Sequence, residues 1–275
     1  MELQLVELPQ EVLENVLRFL DLISLQATAL QCRLLNSLRW PVIDARHIPL
    51  HKLTRETIEY VVLRRRPEIL LIKGVLGCPK STMPLSNVEV LARARSIRHL
   101  DLEATYIGDD NFDKLLPVIR FLEHLNLRFN GISAKGAAVL GLQLQGARCL
   151  HTINLSGNPV CGGDGFAALC AGLAKVPTLT RVVLRDVRLA TAEDAGHLSL
   201  FLKSHKQVEE LDLSTNPLGV AGYKALVPGL AACTLLRNLI LARTQLNNEG
   251  ERVWKGECMC VCMCVCLWRG EGKGE

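Results

Sequence analysis

Apolar residues return along this chain at a spacing that no isolated helix or hairpin explains. Aliphatic side chains stand at i, i+3, i+5 and i+10 in Ile97/Leu100/Leu102/Ile107. The same set recurs at Leu122/Leu125/Leu127/Ile132, Leu150/Ile153/Leu155/Val160, Leu179/Val182/Leu184/Leu189, Val208/Leu211/Leu213/Leu218 and Leu236/Leu239/Leu241/Leu246. Successive sets begin 25, 28, 29, 29 and 28 residues apart. The i+3 and i+5 residues flank a polar one, the alternation of a short half-buried strand. Between strands, Ala134–Leu140 and Ala221–Leu226 place small and apolar residues as a helix needs them to pack on a sheet. One strand and one helix cannot cover their own apolar face, so the units must stack, each leucine contributing about 1.5–3 kcal/mol once buried. Ile69/Ile72, placed 28 residues before Ile97, predicts a worn unit upstream, and Val42–Ala45 a still more worn strand.

Position i+8 is polar in most units: Thr105, Asn130, Asn158, Asn216 and Thr244, with Val187 as the exception. An amide there can bond backbone groups that the turn out of a strand leaves unpaired. Threonine can substitute, whereas Val187 predicts an irregular corner in its own unit. The complete pattern, L-x-x-L-x-L-x-x-N-x-L at 28 to 29 residues, resembles leucine-rich repeats of the ribonuclease-inhibitor type. That resemblance implies an α/β solenoid with parallel strands on the concave side and helices on the convex side.

The amino-terminal segment has another pattern. Val12, Leu13, Val16, Leu17 and Leu20 form one apolar face of a short helix that opens at Leu8-Pro9. With Phe19, Cys32 and Arg33 these residues resemble an F-box, from which Gln31 and Leu35 depart where valine and tryptophan are usual. The resemblance implies an all-α segment that docks a Skp-type adaptor, and through it a cullin, with Leu8, Pro9, Val12, Leu13, Val16, Leu17 and Leu20 as the contact. A helical cap that seals the repeat stack is the alternative for the same residues. The expected division is thus a helical segment at 1–40, degenerate repeats or a connector at 41–96, regular repeats at 97–246 and a tail at 247–275.

Composition narrows the function classes. A net charge of +4, with 28 acidic residues intermixed, singles out no nucleic-acid partner. Glu7, Glu11 and Glu14 interrupt any leader-like apolar run, and no uncharged stretch reaches the roughly 18 residues of a membrane span. Cytoplasmic or nuclear residence is expected, with no membrane partner and no cofactor. Of the 11 cysteines, five alternate with methionine and valine between Cys258 and Cys266. Translated dinucleotide repeat is the preferred account of that tail; a soft-metal thiol cluster and a short exposed strand are the other two.

The side chains beside the buried strand leucines are expected on the concave face: His99/Asp101/Glu103, His124/Asn126/Arg128, Thr152/Asn154/Ser156, Arg181/Val183/Arg185, Glu210/Asp212/Ser214 and Asn238/Ile240/Ala242. Alternating charge there suits a protein substrate more than a phosphate track. His99, Asp101 and His124 could converge as a metal or acid-base group, but a solvated polar face is the preferred reading, and no metal is expected. Gly131 and Gly136 have phosphate-loop spacing, yet Ala137 stands where that loop requires lysine. The expected function is a non-catalytic interaction scaffold, as substrate-recognition subunit of an SCF-type cullin-RING ubiquitin ligase. A plain repeat scaffold and a leucine-rich-repeat activator of a small GTPase are the rivals.

Overall fold

The structure is a computed structural model that describes residues 42–78 and 82–245. Among these, eight three-residue strands form one sheet: β1 (Val42–Asp44), β2 (Ile69–Leu71), β3 (His99–Asp101), β4 (His124–Asn126), β5 (Thr152–Asn154), β6 (Arg181–Val183), β7 (Glu210–Asp212) and β8 (Asn238–Ile240). Every neighbouring pair is parallel and spatial order follows chain order. Parallel neighbours need a crossover. Helices supply it: α1 (Arg55–Glu59, running on into a π-helical Tyr60–Arg65), α2 (Leu85–Leu91), α3 (Gly108–Leu115), α4 (Ala134–Gln143), α5 (Gly163–Leu173), α6 (Ala192–Ser204) and α7 (Gly219–Ala232). This is the α/β leucine-rich-repeat solenoid expected from the spacing. The F-box-like residues 1–40 and the tail from Leu246 lie outside the described residues.

Ile43, Leu70, Leu100, Leu125, Ile153, Val182, Leu211 and Leu239 stand opposite one another along the ladder, all buried. Residues two further on, from Ala45 and Ile72 to Leu213, form a second buried column, and Ile107, Ile132, Val160, Leu189 and Leu218 a third. The sequence placed the β2 unit in a different register. The 28-residue spacing aligns Ile69 with Ile97 and Ile72 with Leu100, whereas Leu70 pairs with Leu100. Alternation decides it: Leu70 and Ile72 are the buried pair, and buried Pro67 takes the place of Ile97.

At the corner that follows each of β3 to β8 the backbone turns through the left-handed region just before the i+8 residue, at Ala104, Phe129, Gly157, Asp186, Thr215 and Arg243. Each non-glycine residue held there costs about 1–2 kcal/mol. The buried amides offset that cost. Asn158 Nδ2 donates to Leu127 O and Leu155 O, both at 2.8 Å, while its Oδ1 accepts from Asn130 N (2.9 Å) and Ile132 N (3.1 Å). Asn216 repeats the arrangement with Leu184 O, Leu213 O, Val187 N and Leu189 N.

The irregular corner predicted for Val187 is not in its own unit. Asp186 and Arg188 flank Val187 at φ 53° and 65°, as Phe129 and Gly131 flank Asn130, and Asn216 accepts from its N–H. The missing acceptor is felt one unit earlier. With no amide at Val187, the Val160 N–H bonds Asn158 O (2.7 Å) across Pro159, and Leu218 does the same to Asn216 O (2.8 Å) below Thr244. Threonine replaces only half of the asparagine. Thr105 and Thr244 donate to Leu102 O and Leu241 O, but without the second amide bond that asparagine makes to a main-chain carbonyl of the preceding coil.

Candidate binding surface

The first and third residues of each strand project away from the buried central residue, and so away from the helices. His99/Asp101, His124/Asn126, Thr152/Asn154, Arg181/Val183, Glu210/Asp212 and Asn238/Ile240 therefore form two columns on the open sheet face. Glu103, Arg128, Arg185 and Ala242 continue it beyond the strands, partly or fully exposed. Ser156 and Ser214, expected on the same face, are buried instead.

The third-position column is tied to its own backbone. Asp101 Oδ1 accepts from Glu103 N at 2.9 Å, Asn126 from Arg128 N at 3.1 Å, Asn154 from Ser156 N at 3.0 Å and Asp212 from Ser214 N at 2.9 Å. Asp44 makes the same bond to Arg46 N. In these five units a side-chain oxygen satisfies the N–H two residues on, a local bond in place of a ladder partner. Asn126 Nδ2 also donates to Asp101 Oδ1 (2.9 Å). Burial still raises the Asp101 carboxyl above its usual range, against the pull of those two bonds.

Ion pairs pattern the rest of the face. Glu103 lies between Lys73 (3.2 Å) and Arg128 (3.5 Å), and Arg181 meets Glu210 at 2.7 Å. Such half-exposed pairs contribute about 0–1 kcal/mol, so their value lies in the charge pattern presented to a partner. The Arg128 guanidinium covers the Phe129 ring, 4.5 Å from its centroid. That ring occupies the space a side chain at Gly157 would need, 2.1 Å from an added Cβ.

The first-position column brings histidines together. The His99 and His124 rings lie 4.1 Å apart, centroid to centroid, and His151 lies 6.3 Å beyond His124. Glu123 joins them, its Oε2 3.7 Å from His99 Nε2. Burial, more than the neighbouring His99 and His151, lowers the His124 pKa. The convergence considered from sequence named Asp101 as third member; Glu123 holds that place, because Asp101 is occupied with Glu103 N and Asn126. On the flank, a cleft of about 460 Å³ between the end of α2 and the turn Leu116–Phe121 carries Arg93, Arg95 and Arg120. No sequence feature pointed to it.

Residues 5–38 match the family model of the F-box domain, and residues 118–141, spanning β4 and the start of α4, match that of a leucine-rich repeat. An F-box and a leucine-rich-repeat array share this chain. Over 166 residues, 58% of the chain, it is 31% identical to the ribonuclease inhibitor of Sus scrofa, spanning 36% of that protein. It is 30% identical over 169 residues to human NACHT, LRR and PYD domains-containing protein 5, covering 58% of this chain and 13% of that one. The chain thus spans about a third or less of these relatives. The crystal structure of the TLR13-ssRNA13 complex aligns with 76% of this chain and 30% of that one, at 18% identity and a TM-score of 0.46. F-box domains and leucine-rich repeats are, as families, non-enzymatic and protein-binding.

Proposed function

We propose that this protein is the substrate-recognition subunit of an SCF-type cullin-RING ubiquitin ligase in the cytoplasm or nucleus. Its F-box segment would engage a Skp-type adaptor and its open sheet face a protein substrate. One observation carries the reading: the F-box match ends at residue 38 and the first strand among the described residues begins at Val42, so the two lie close together along the chain. So short a connection suits a receptor that must hold its substrate at a set distance from the ligase. Lys73, Glu103, Arg128, Arg181, Arg185 and Glu210 supply the alternating charge that would select that substrate.

Size-exclusion chromatography of the protein mixed with a purified Skp-type adaptor and cullin tests the first half. A stoichiometric complex is expected, lost in Leu13→Asp and Leu17→Asp. Absence of co-elution with the unaltered protein would leave the plain repeat scaffold. The second half is tested by crosslinking partners to Arg185→Glu and Glu210→Lys variants, where loss of substrate with adaptor binding intact is expected.

A further inference from the structure

We propose that His99, Glu123 and His124 form a binding site for a zinc-class divalent cation on the open face of the sheet. His99 and His124 stand opposite each other in the β3–β4 register, so their imidazoles leave the sheet on the same side. Glu123 enters from the residue preceding β4. One ligand atom from each of the three residues lies within 4.8 Å of the other two, and His99 Nε2 stands 3.7 Å from Glu123 Oε2. Ligands bound tetrahedrally at the usual zinc distances stand about 3.3 Å from one another. Side-chain rotations of about an ångström therefore bring the set to bonding geometry, with no demand on a backbone that the ladder fixes.

The donor set decides the class of metal. Two imidazoles and one carboxylate suit zinc and its transition-metal neighbours, whereas calcium and magnesium take mostly oxygen ligands. Three protein ligands leave a fourth position for water, and the partial exposure of all three residues provides the entry path. Asp101 is outside the set, since its Oδ1 is already shared between Glu103 N and Asn126 Nδ2. The site runs against the sequence expectation of no metal, and it is independent of the ligase reading.

The test is zinc titration of the full chain by calorimetry, with accessible thiols first alkylated so that the cysteines between Cys258 and Cys266 do not compete. One zinc per chain is expected, with affinity falling by at least about tenfold in each of His99→Gln, Glu123→Gln and His124→Gln, and unchanged in His51→Gln. Zinc should also raise the thermal unfolding midpoint of the unaltered protein and not that of the triple variant, which reports on the site in a folded chain. No binding after alkylation, or unchanged affinity in any one of the three variants, would overturn the assignment.

Discussion

Asn130 and Asn158 are joined across two coils, the Asn158 Oδ1 accepting the Asn130 N–H at 2.9 Å. Replacing Asn158 with alanine removes that acceptor and also the donor to Leu127 O and Leu155 O, all in a fully buried place. Each buried group left unpaired costs about 1–3 kcal/mol, so Asn158→Ala is expected to lose about 3–5 kcal/mol. Urea unfolding measures this, and a loss below about 1 kcal/mol would count against the ladder as the link between coils.

The missing rung is the converse case. Val187 is buried between Asp186 and Arg188, both at positive φ as are the neighbours of Asn130. An amide there would supply the acceptor that Asn158 provides to Asn130 N and Ile132 N one unit earlier. Val187→Asn is therefore expected to be neutral or to stabilise by about 1 kcal/mol, although it puts a polar side chain where an apolar one is buried. Loss of several kcal/mol in the same unfolding measurement would mean that the corner cannot relax around Pro159.

Helix α4 meets α5 with no room for side chains between them. A Cβ on Gly141 would lie 2.2 Å from Ala168 O, and one on Gly172 would lie 2.2 Å from Gly141 O. Both obstacles are backbone, which cannot swing aside as a side chain can. Gly141→Ala, favoured by helix propensity alone, is expected to destabilise by about 1–3 kcal/mol. Thermal unfolding against a Gly196→Ala control, where an added Cβ meets nothing, separates packing from propensity.

How far the sequence could be read follows the same physics. Repeats 97–241 were legible because a stack forces every coil to one period, so Leu100, Leu125, Ile153, Val182, Leu211 and Leu239 had to return in register. The β2 unit was not, because Ile69-Leu70-Leu71-Ile72 offers two apolar alternations and only pairing with β3 chooses between them. On the open face, alternation placed His99 and His124 correctly. It could not tell that Asp101, Asn126 and Asp212 are occupied by the N–H groups two residues on, which depends on the turn each strand takes. Glu123 was missed for a related reason: it precedes the strand, where alternation assigns no face.

Tyr223 gives a pH dependence whose sign is fixed by its surroundings. It is 1% exposed, and its hydroxyl lies 2.7 Å from Thr244 Oγ1. Since Thr244 donates its own proton to Leu241 O, the phenol is the donor in that pair. Burial pushes the Tyr223 phenol up to about 12, whereas in the unfolded chain it ionises near 10. Below pH 10 the phenol is neutral in both states and contributes no slope. From there to about pH 12 only the unfolded state releases the proton, so stability falls with rising pH, by about 2–3 kcal/mol in total. Tyr223→Phe lacks this slope but also lacks the hydrogen bond, and should start about 1 kcal/mol less stable at neutral pH. The advantage of the unaltered protein over Tyr223→Phe should therefore shrink and then reverse above pH 10, with lysine titration cancelling in the difference. Parallel curves for the two proteins between pH 9 and 12 would show that the phenol reaches solvent in the folded state.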